Sequence, residues 1–218
     1  MLRFGKFIAE QLIVEGGNVE VNGVSAKPID LTKEDRTKSA NDVKAALHDL
    51  NKSFHKEHGK HLFGPKGEAI EHGGAFAGST HAFMNKDISD AEHNTHKKKV
   101  GDLDIMVPSE HKDDLHKHLQ SGKKFGKYTL VGTKKSGAQI HALMKHENGQ
   151  VHQFDFEPAQ FDKHTPSDWS KFSHSSNWND TKSGVKGVFH KLALSSLTAA
   201  HGAHGIVRDK KGDKEQYC

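Results

Sequence analysis

The chain has little cysteine and no long apolar run. Its one cysteine, Cys218, is the final residue, which excludes a disulfide framework and a zinc site built on cysteines and is typical of a reducing compartment. No segment approaches the roughly 18 consecutive apolar residues that cross a bilayer, and the N-terminus lacks a secretory signal. We therefore expect a soluble, cytoplasmic protein that makes no membrane contact.

Apolar residues are also scarce, at 33% of the 218 residues, whereas charged residues make up 28%. This balance predicts one domain with a modest core and extended polar segments. Lysine and arginine outnumber acidic residues by 32 to 28, and several lysines stand in pairs. Such a mildly basic chain suits a polyanionic partner such as a nucleotide or a nucleic acid.

Histidine is unusually abundant, with 19 residues. His55, His58 and His61 are candidate ligands for a metal, as are His93 and His96. A zinc site needs several converging ligands with a supporting second layer of contacts, and most of these histidines lie in polar segments. We interpret the histidines as compositional bias.

Hydrophobic periodicity predicts an α/β (α+β) fold in which helices and strands alternate before a β-meander, followed by a C-terminal helical segment. Apolar residues at helical spacing predict a helix that begins near Ser39 or Asn41 and ends near Gly59. A second helix is predicted over 109–120 and a closing helix over 184–200, with β-runs at 127–132, 139–145 and 151–156. The expected organisation is a leader helix and irregular segment (1–38), a core (39–160) with an inserted loop (86–99), a helical segment (161–205) and a flexible tail (206–218).

The segment Gly101–Val107 carries the most informative pattern. Asp102 and Asp104 alternate with apolar residues, which predicts a half-buried strand whose two carboxylates point to the same side. Two neighbouring carboxylates repel each other unless a cation lies between them. The pattern therefore predicts a divalent-metal site.

Two further features complete this site. Gly78-Ser79 predicts a glycine turn that enters a helix, where free backbone N–H groups favour a phosphate. Asp155 stands between two phenylalanines on a later predicted strand, so its carboxylate faces away from the core. Three carboxylates near a phosphate-binding turn are what two-metal phosphoryl transfer requires.

Gly78-Ser79, the strand with Asp102 and Asp104, and Asp155 on a later strand together resemble the signature of the DNA polymerase beta superfamily of nucleotidyltransferases. The resemblance covers roughly residues 40–200. It implies a mixed-sheet core, two Mg²⁺ ions that Mn²⁺ can replace, and transfer of a nucleoside monophosphate from an NTP or dNTP with release of pyrophosphate. Asp102 and Asp104 would hold both metals, and Asp155 would hold the catalytic metal and help to deprotonate the acceptor hydroxyl. Gly78 and Ser79 would bind the triphosphate.

The sequence departs from the family pattern after the serine, where a basic residue is frequent and His81 stands nearby instead. The interval from Ser79 to Asp102 is also long. Cationic residues of the C-terminal segment are therefore candidates for triphosphate binding, namely Lys182, Lys186, His190 and Lys191.

The basic composition favours a nucleic-acid end as the acceptor. Nucleotidylation of a protein or a small molecule is an alternative, because the same catalytic core serves these acceptors. Trp169 and Trp178 are candidates for base stacking, although anchoring of a polar segment explains them better. Neither oligomeric state nor base preference follows from the sequence.

The N-terminus supports a different class of function. Phe4 to Leu12 resembles the short amphipathic leaders of internal proteins of large tailed bacteriophages, and Ile13-Val14-Glu15 before Gly16 resembles the cleavage signal of a prohead protease. This resemblance implies a phage-encoded protein found in the host cytoplasm or the virion. It also permits a non-catalytic, DNA-associated role.

Overall fold

The computed structural model describes residues 19–31, 35–72, 74–84, 99–120, 122–173, 178–180, 185–186, 206–208 and 215–217. The chain divides into two compact units. One comprises Asn18–His174, and the other comprises Met1–Gly17 with Ser175–Cys218. The first unit contains the residues 39–160 that the sequence predicts as the core, together with segments on both sides of them.

The first unit holds five helices and eleven strands among its described residues. The helices are α1 (Arg36–His58), α2 (Glu68–Glu71), α3 (Gly78–Met84), α4 (Lys112–His118) and α5 (Asp168–Ser173), with a 3-10 turn at Ser109–His111 before α4. The strands are β1 (Glu20–Val21), β2 (Val24–Ser25), β3 (Ile29–Asp30), β4 (Lys99–Val100), β5 (Asp102–Pro108), β6 (Lys124–Phe125), β7 (Tyr128–Ser136), β8 (Gln139–His146), β9 (Val151–Ala159), β10 (Phe161–Asp162) and β11 (Thr165–Pro166).

A mixed five-stranded sheet forms the centre of this unit, with the strand order β5-β9-β8-β7-β6. Strands β6 to β9 form an antiparallel meander, whereas β5 pairs in parallel with β9. A turn at residues 147–150 connects β8 and β9. The sequence prediction of a mixed α/β fold is therefore confirmed at this level.

Helix α1 covers one face of the sheet. Its buried apolar residues recur at helical spacing and join the main hydrophobic core with the inward side chains of the strands. The side chain of Asp35 caps the helix by accepting a hydrogen bond from the backbone N–H of Lys38 at 2.9 Å. Gly59 ends it in the left-handed conformation. The helix therefore ends where the sequence predicts but begins about one turn earlier, because the polar first turn carries no apolar periodicity.

Asn51 attaches the following loop to α1. Its buried side-chain oxygen accepts hydrogen bonds from the backbone N–H groups of Leu62 and Phe63, at 2.8 and 3.1 Å. Its amide nitrogen donates to the carbonyl of Gly64 at 2.8 Å. A single side chain thus satisfies three backbone groups that are removed from water.

The second unit contains two described hairpins. Strand β12 (Trp178–Asp180) pairs with β13 (Val185–Lys186), and β14 (Ile206–Arg208) pairs with β15 (Glu215–Tyr217). The prediction of a helix from residue 184 is wrong at Val185 and Lys186, because two glycines flank this pair and weaken a helix there. The rest of that predicted helix, the leader helix and residues 86–98 of the predicted loop lie outside the described residues.

One further difference concerns the irregular segment that the sequence predicts within residues 1–38. Ile29 and Asp30 form strand β3, which pairs with Lys99 and Val100. Among the described residues, no helix is long and apolar enough to span a membrane.

Candidate functional site

Asp102, Asp104 and Asp155 converge at the edge of the central sheet. Asp102 and Asp104 lie on β5. Leu103, which stands between them, and Ile105, which follows them, are buried in the core. Asp155 lies on β9 directly opposite Asp104 in the parallel register. One carboxylate oxygen of each residue lies within 4.8 Å of those of the other two. The structure therefore brings together all three carboxylates that the sequence nominates.

Two neighbouring side chains hold Asp155, whose exposed fraction is only 4%. The Nδ1 atom of His141 lies 2.7 Å from Oδ1 of Asp155, and Gln153 donates from Nε2 to Oδ2 at 3.0 Å. The backbone N–H of Val19 in turn donates to Oε1 of Gln153 at 2.9 Å, which fixes the orientation of the amide. Each oxygen of this buried carboxylate consequently has a hydrogen-bond donor, as a buried charge requires.

The segment before α3 pairs with the outer edge of β5. The backbone N–H of Ala77 donates to the carbonyl of Asp104 at 3.1 Å, and that of Met106 donates to the carbonyl of Ala75 at 2.7 Å. Thr80 adds a side-chain contact, because its hydroxyl accepts a hydrogen bond from the backbone N–H of Asp104 at 2.8 Å. These bonds fix the position of α3 relative to the aspartates.

Gly78 begins α3 at the closest approach to the triad. Its φ of +53° favours glycine, and a Cβ atom at this position would lie 2.6 Å from Oδ2 of Asp104. Only a residue without a side chain therefore leaves the carboxylate of Asp104 where it is. Ser79 follows within the same helix, so the predicted glycine–serine turn lies beside the metal-ligand candidates.

The register also defines a row of polar residues across four strands. Asp104, Asp155, His141 and Lys134 are successive cross-strand partners on β5, β9, β8 and β7. Side chains at paired positions lie on the same face of a sheet. The row thus runs from two carboxylates through an imidazole to the exposed Lys134.

The nucleotide-binding residues nominated in the C-terminal segment are less well defined by the structure. Lys186 forms part of β13 in the second unit. Lys182, His190 and Lys191 lie outside the described residues.

His81 does not replace the basic residue that the family pattern places after the serine. Burial lowers the pKa of His81 below its usual value of 6.5. The imidazole is therefore mainly neutral at pH 7 when no anion is bound beside it.

Sequence reasoning did not identify Thr80, His141, Gln153 or Lys134. A signal existed in the strands, because His141, Gln153 and Asp155 are polar residues that alternate with buried apolar ones. His141 contacts Asp155 because β8 pairs with β9 in this register. Without knowledge of that pairing, His141 could not be distinguished from the other histidines among the 19 in the sequence.

The donor set suits a hard divalent cation. Magnesium prefers oxygen ligands and is bound by one or two carboxylates together with substrate phosphates. Asp102 and Asp104 are half-buried, so they remain accessible for such a shared ion. The absence of a side chain at Gly78 preserves the space beside Asp104. The residues present therefore fit Mg²⁺.

Comparisons of the chain with protein-family models, with curated proteins and with solved structures found no match. Membership of a nucleotidyltransferase family therefore stays a prediction based on the motif residues and their arrangement.

Proposed function

We propose that the protein is a metal-dependent nucleotidyltransferase that transfers a nucleoside monophosphate from an NTP or dNTP to a hydroxyl acceptor. The observation that supports this proposal is the convergence of Asp102, Asp104 and Asp155 on adjacent strands, with one carboxylate oxygen of each lying within 4.8 Å of those of the other two. These residues would hold Mg²⁺. When bound, the metal supplies neutralisation of phosphate charge and activation of the attacking oxygen.

The protein's own residues position the reactants. Gly78 keeps the space beside Asp104 open, and the buried contacts to His141 and Gln153 hold Asp155 in one orientation. In the reaction, the acceptor oxygen forms a bond to the α-phosphorus, the bond from the α-phosphorus to the bridging oxygen of the β-phosphate breaks, and pyrophosphate leaves. Asp155 is the acceptor of the hydroxyl proton in this scheme.

Lys134 is a candidate for binding phosphate in this arrangement. It occupies the fourth position of the row that contains Asp104 and Asp155, and its side chain is exposed. A lysine acts on phosphate as a point charge that needs no fixed geometry. We therefore add Lys134 to Gly78 and Ser79 as a triphosphate-binding residue.

A nucleic-acid end is the acceptor we favour, on the basis of the net charge of +4. The same carboxylates would serve a protein hydroxyl or a small molecule. A packaged, DNA-associated protein without activity is the remaining alternative, and the leader residues that motivate it lie outside the described residues.

The test is a transfer assay with each of the four labelled NTPs and dNTPs and with RNA, DNA and protein acceptors, in Mg²⁺ and in Mn²⁺. The wild-type protein should label at least one acceptor. Asp104→Asn should abolish labelling because it removes one anionic ligand at nearly constant volume. Asp162→Asn, at an exposed residue of the same unit, is the matched control and should retain activity. Labelling by Asp104→Asn at the wild-type rate would refute the proposal.

A further inference from the structure

A second group of potential metal ligands lies at the C-terminal end of α1. Glu57 and His58 end this helix, and His118 is the last residue of α4. One ligand atom of each residue lies within 4.8 Å of those of the other two. The group is built on the helices that pack on the apolar face of the sheet, whereas the three aspartates lie on the opposite face.

His118 is held in an orientation that suits a metal ligand. Its exposed fraction is 1%, and its Nε2 atom lies 2.9 Å from the hydroxyl oxygen of Ser53, which is also 3.0 Å from the carbonyl of Leu50. Its Nδ1 atom lies 2.8 Å from Oε2 of Glu57, and because a carboxylate can only accept, Nδ1 carries the ring proton and donates it to Glu57. A metal bound at Nδ1 would take the place of this proton, and Nε2 would then carry the ring proton and donate to the hydroxyl of Ser53. A metal-ligating histidine is fixed in the same way, through its other ring nitrogen.

His58 supplies an independent observation. Its Nε2 atom is buried and has no hydrogen-bond partner among the described residues. Oε1 of Glu57 lies 3.6 Å from this nitrogen, which is too far for a hydrogen bond. A buried polar atom without a partner in a folded protein calls for an explanation, and an ion absent from the structure is one such explanation.

Lys123 provides the positive charge of this group when no metal is bound. Its ammonium lies 3.3 Å from Oε2 of Glu57 and 3.4 Å from Nδ1 of His118. Lys123 is about one-third exposed and extends from a surface position, so it can move into solvent. With Lys123 in this position, Nε2 of His58 still has no hydrogen-bond partner among the described residues.

We propose that Glu57, His58 and His118 form a zinc site that is separate from the aspartate triad. Two imidazoles and one carboxylate are a ligand set that zinc uses when a fourth position is left to water or a substrate. A cavity of about 490 Å³ opens beside Glu57 and His118, and its other lining residues are Ser53, Phe125 and the lysines 56, 123 and 124. It gives solvent and ions access to these two ligands.

The test uses the full chain without a histidine tag, freed of metal with EDTA and then dialysed. Zn²⁺ is titrated in competition with a chromophoric zinc chelator. The wild-type protein should compete for one equivalent of Zn²⁺, and Glu57→Gln and His58→Asn should each weaken this affinity about tenfold or more. Lys123→Met should tighten it severalfold, because the metal no longer has to displace an ammonium group.

Two variants serve as controls. His55→Asn removes an exposed histidine from the same helix, and Asp104→Asn alters the aspartate triad; neither should change the zinc affinity. Circular dichroism and thermal unfolding check that each variant is folded, which is expected because the side chain of Glu57 is half-exposed. Wild-type affinity in both Glu57→Gln and His58→Asn would overturn the proposal, as would failure of the wild-type protein to compete. The assay measures no transfer activity, so its outcome is independent of the proposed function.

Discussion

Replacement of Gly78 by alanine should damage the aspartate site by two separable effects. The first is backbone strain, since a residue with a Cβ atom at a φ of +53° costs about 1–2 kcal/mol. For a chain of this size such a loss lowers the melting temperature by about 2–8 °C. The second is a clash, because the new Cβ would lie 2.6 Å from Oδ2 of Asp104 and ordinary contact begins at 3.4 Å.

The clash gives the size of the effect on metal binding. The carboxylate of Asp104 must retreat by roughly 0.8 Å, which exceeds the tolerance of about 0.5 Å for a preorganised site. We expect the affinity for Mg²⁺ to fall about tenfold or more. At saturating Mg²⁺ each tenfold loss removes about 1.4 kcal/mol of metal-dependent stabilisation.

Gly59→Ala provides a matched control. Gly59 has a φ of +68°, but a Cβ atom added there would contact nothing within 4 Å. This variant should therefore show the same strain without any change at Asp104. Thermal unfolding of both variants is measured with and without MgCl₂. If Gly78→Ala keeps the Mg²⁺-dependent rise in melting temperature that Gly59→Ala and the wild-type protein show, the inferred closeness of Gly78 to a metal ligand is wrong.

Two predictions concern stability alone. Asn51→Ala should lower the free energy of unfolding in urea by about 3 kcal/mol or more, since it leaves three buried backbone groups without partners. Lys52→Ala, at an exposed position of the same helix, is its control, and a loss for Asn51→Ala below about 1 kcal/mol would show that water replaces the side chain. Burial lowers the pKa of His152 in the folded protein to about 4. Between pH 4 and 6.5 the unfolded chain therefore binds more protons than the folded one. Acidification across this range should lower the free energy of unfolding by up to about 3 kcal/mol. His152→Gln should flatten this pH dependence in urea unfolding, and an unchanged slope would contradict the assignment.

Local patterns were sufficient to predict several elements of the fold. The apolar stripe of α1 and the glycine at its end predict a helix, because both depend on neighbours in the sequence. The alternation around Asp102 and Asp104 predicts the strand β5 for the same reason. The conformation of these residues depends mainly on neighbours within the same short segment of the chain.

Non-local pairing explains what the sequence did not reveal. Strand β5 pairs with β9, although three strands of the sheet separate them along the chain. The contact between His141 and Asp155 follows from the register of β8 against β9, which no short segment specifies. Ile29 and Asp30 become a strand only through pairing with Lys99 and Val100, far away in sequence. Single-sequence periodicity contains little information about such partners.

The two ligand groups differ in a way that follows from the fold. Asp102, Asp104, His141 and Asp155 alternate along β5, β8 and β9 with residues of the main core, so they are directed to the face opposite that core, where strand pairing places carboxylates next to each other. Helix ends contribute the second group, in which imidazole nitrogens outnumber carboxylates. Oxygen-rich and nitrogen-rich ligand sets select different divalent metals. Magnesium and zinc should therefore bind to opposite sides of the same sheet without competing for a common site.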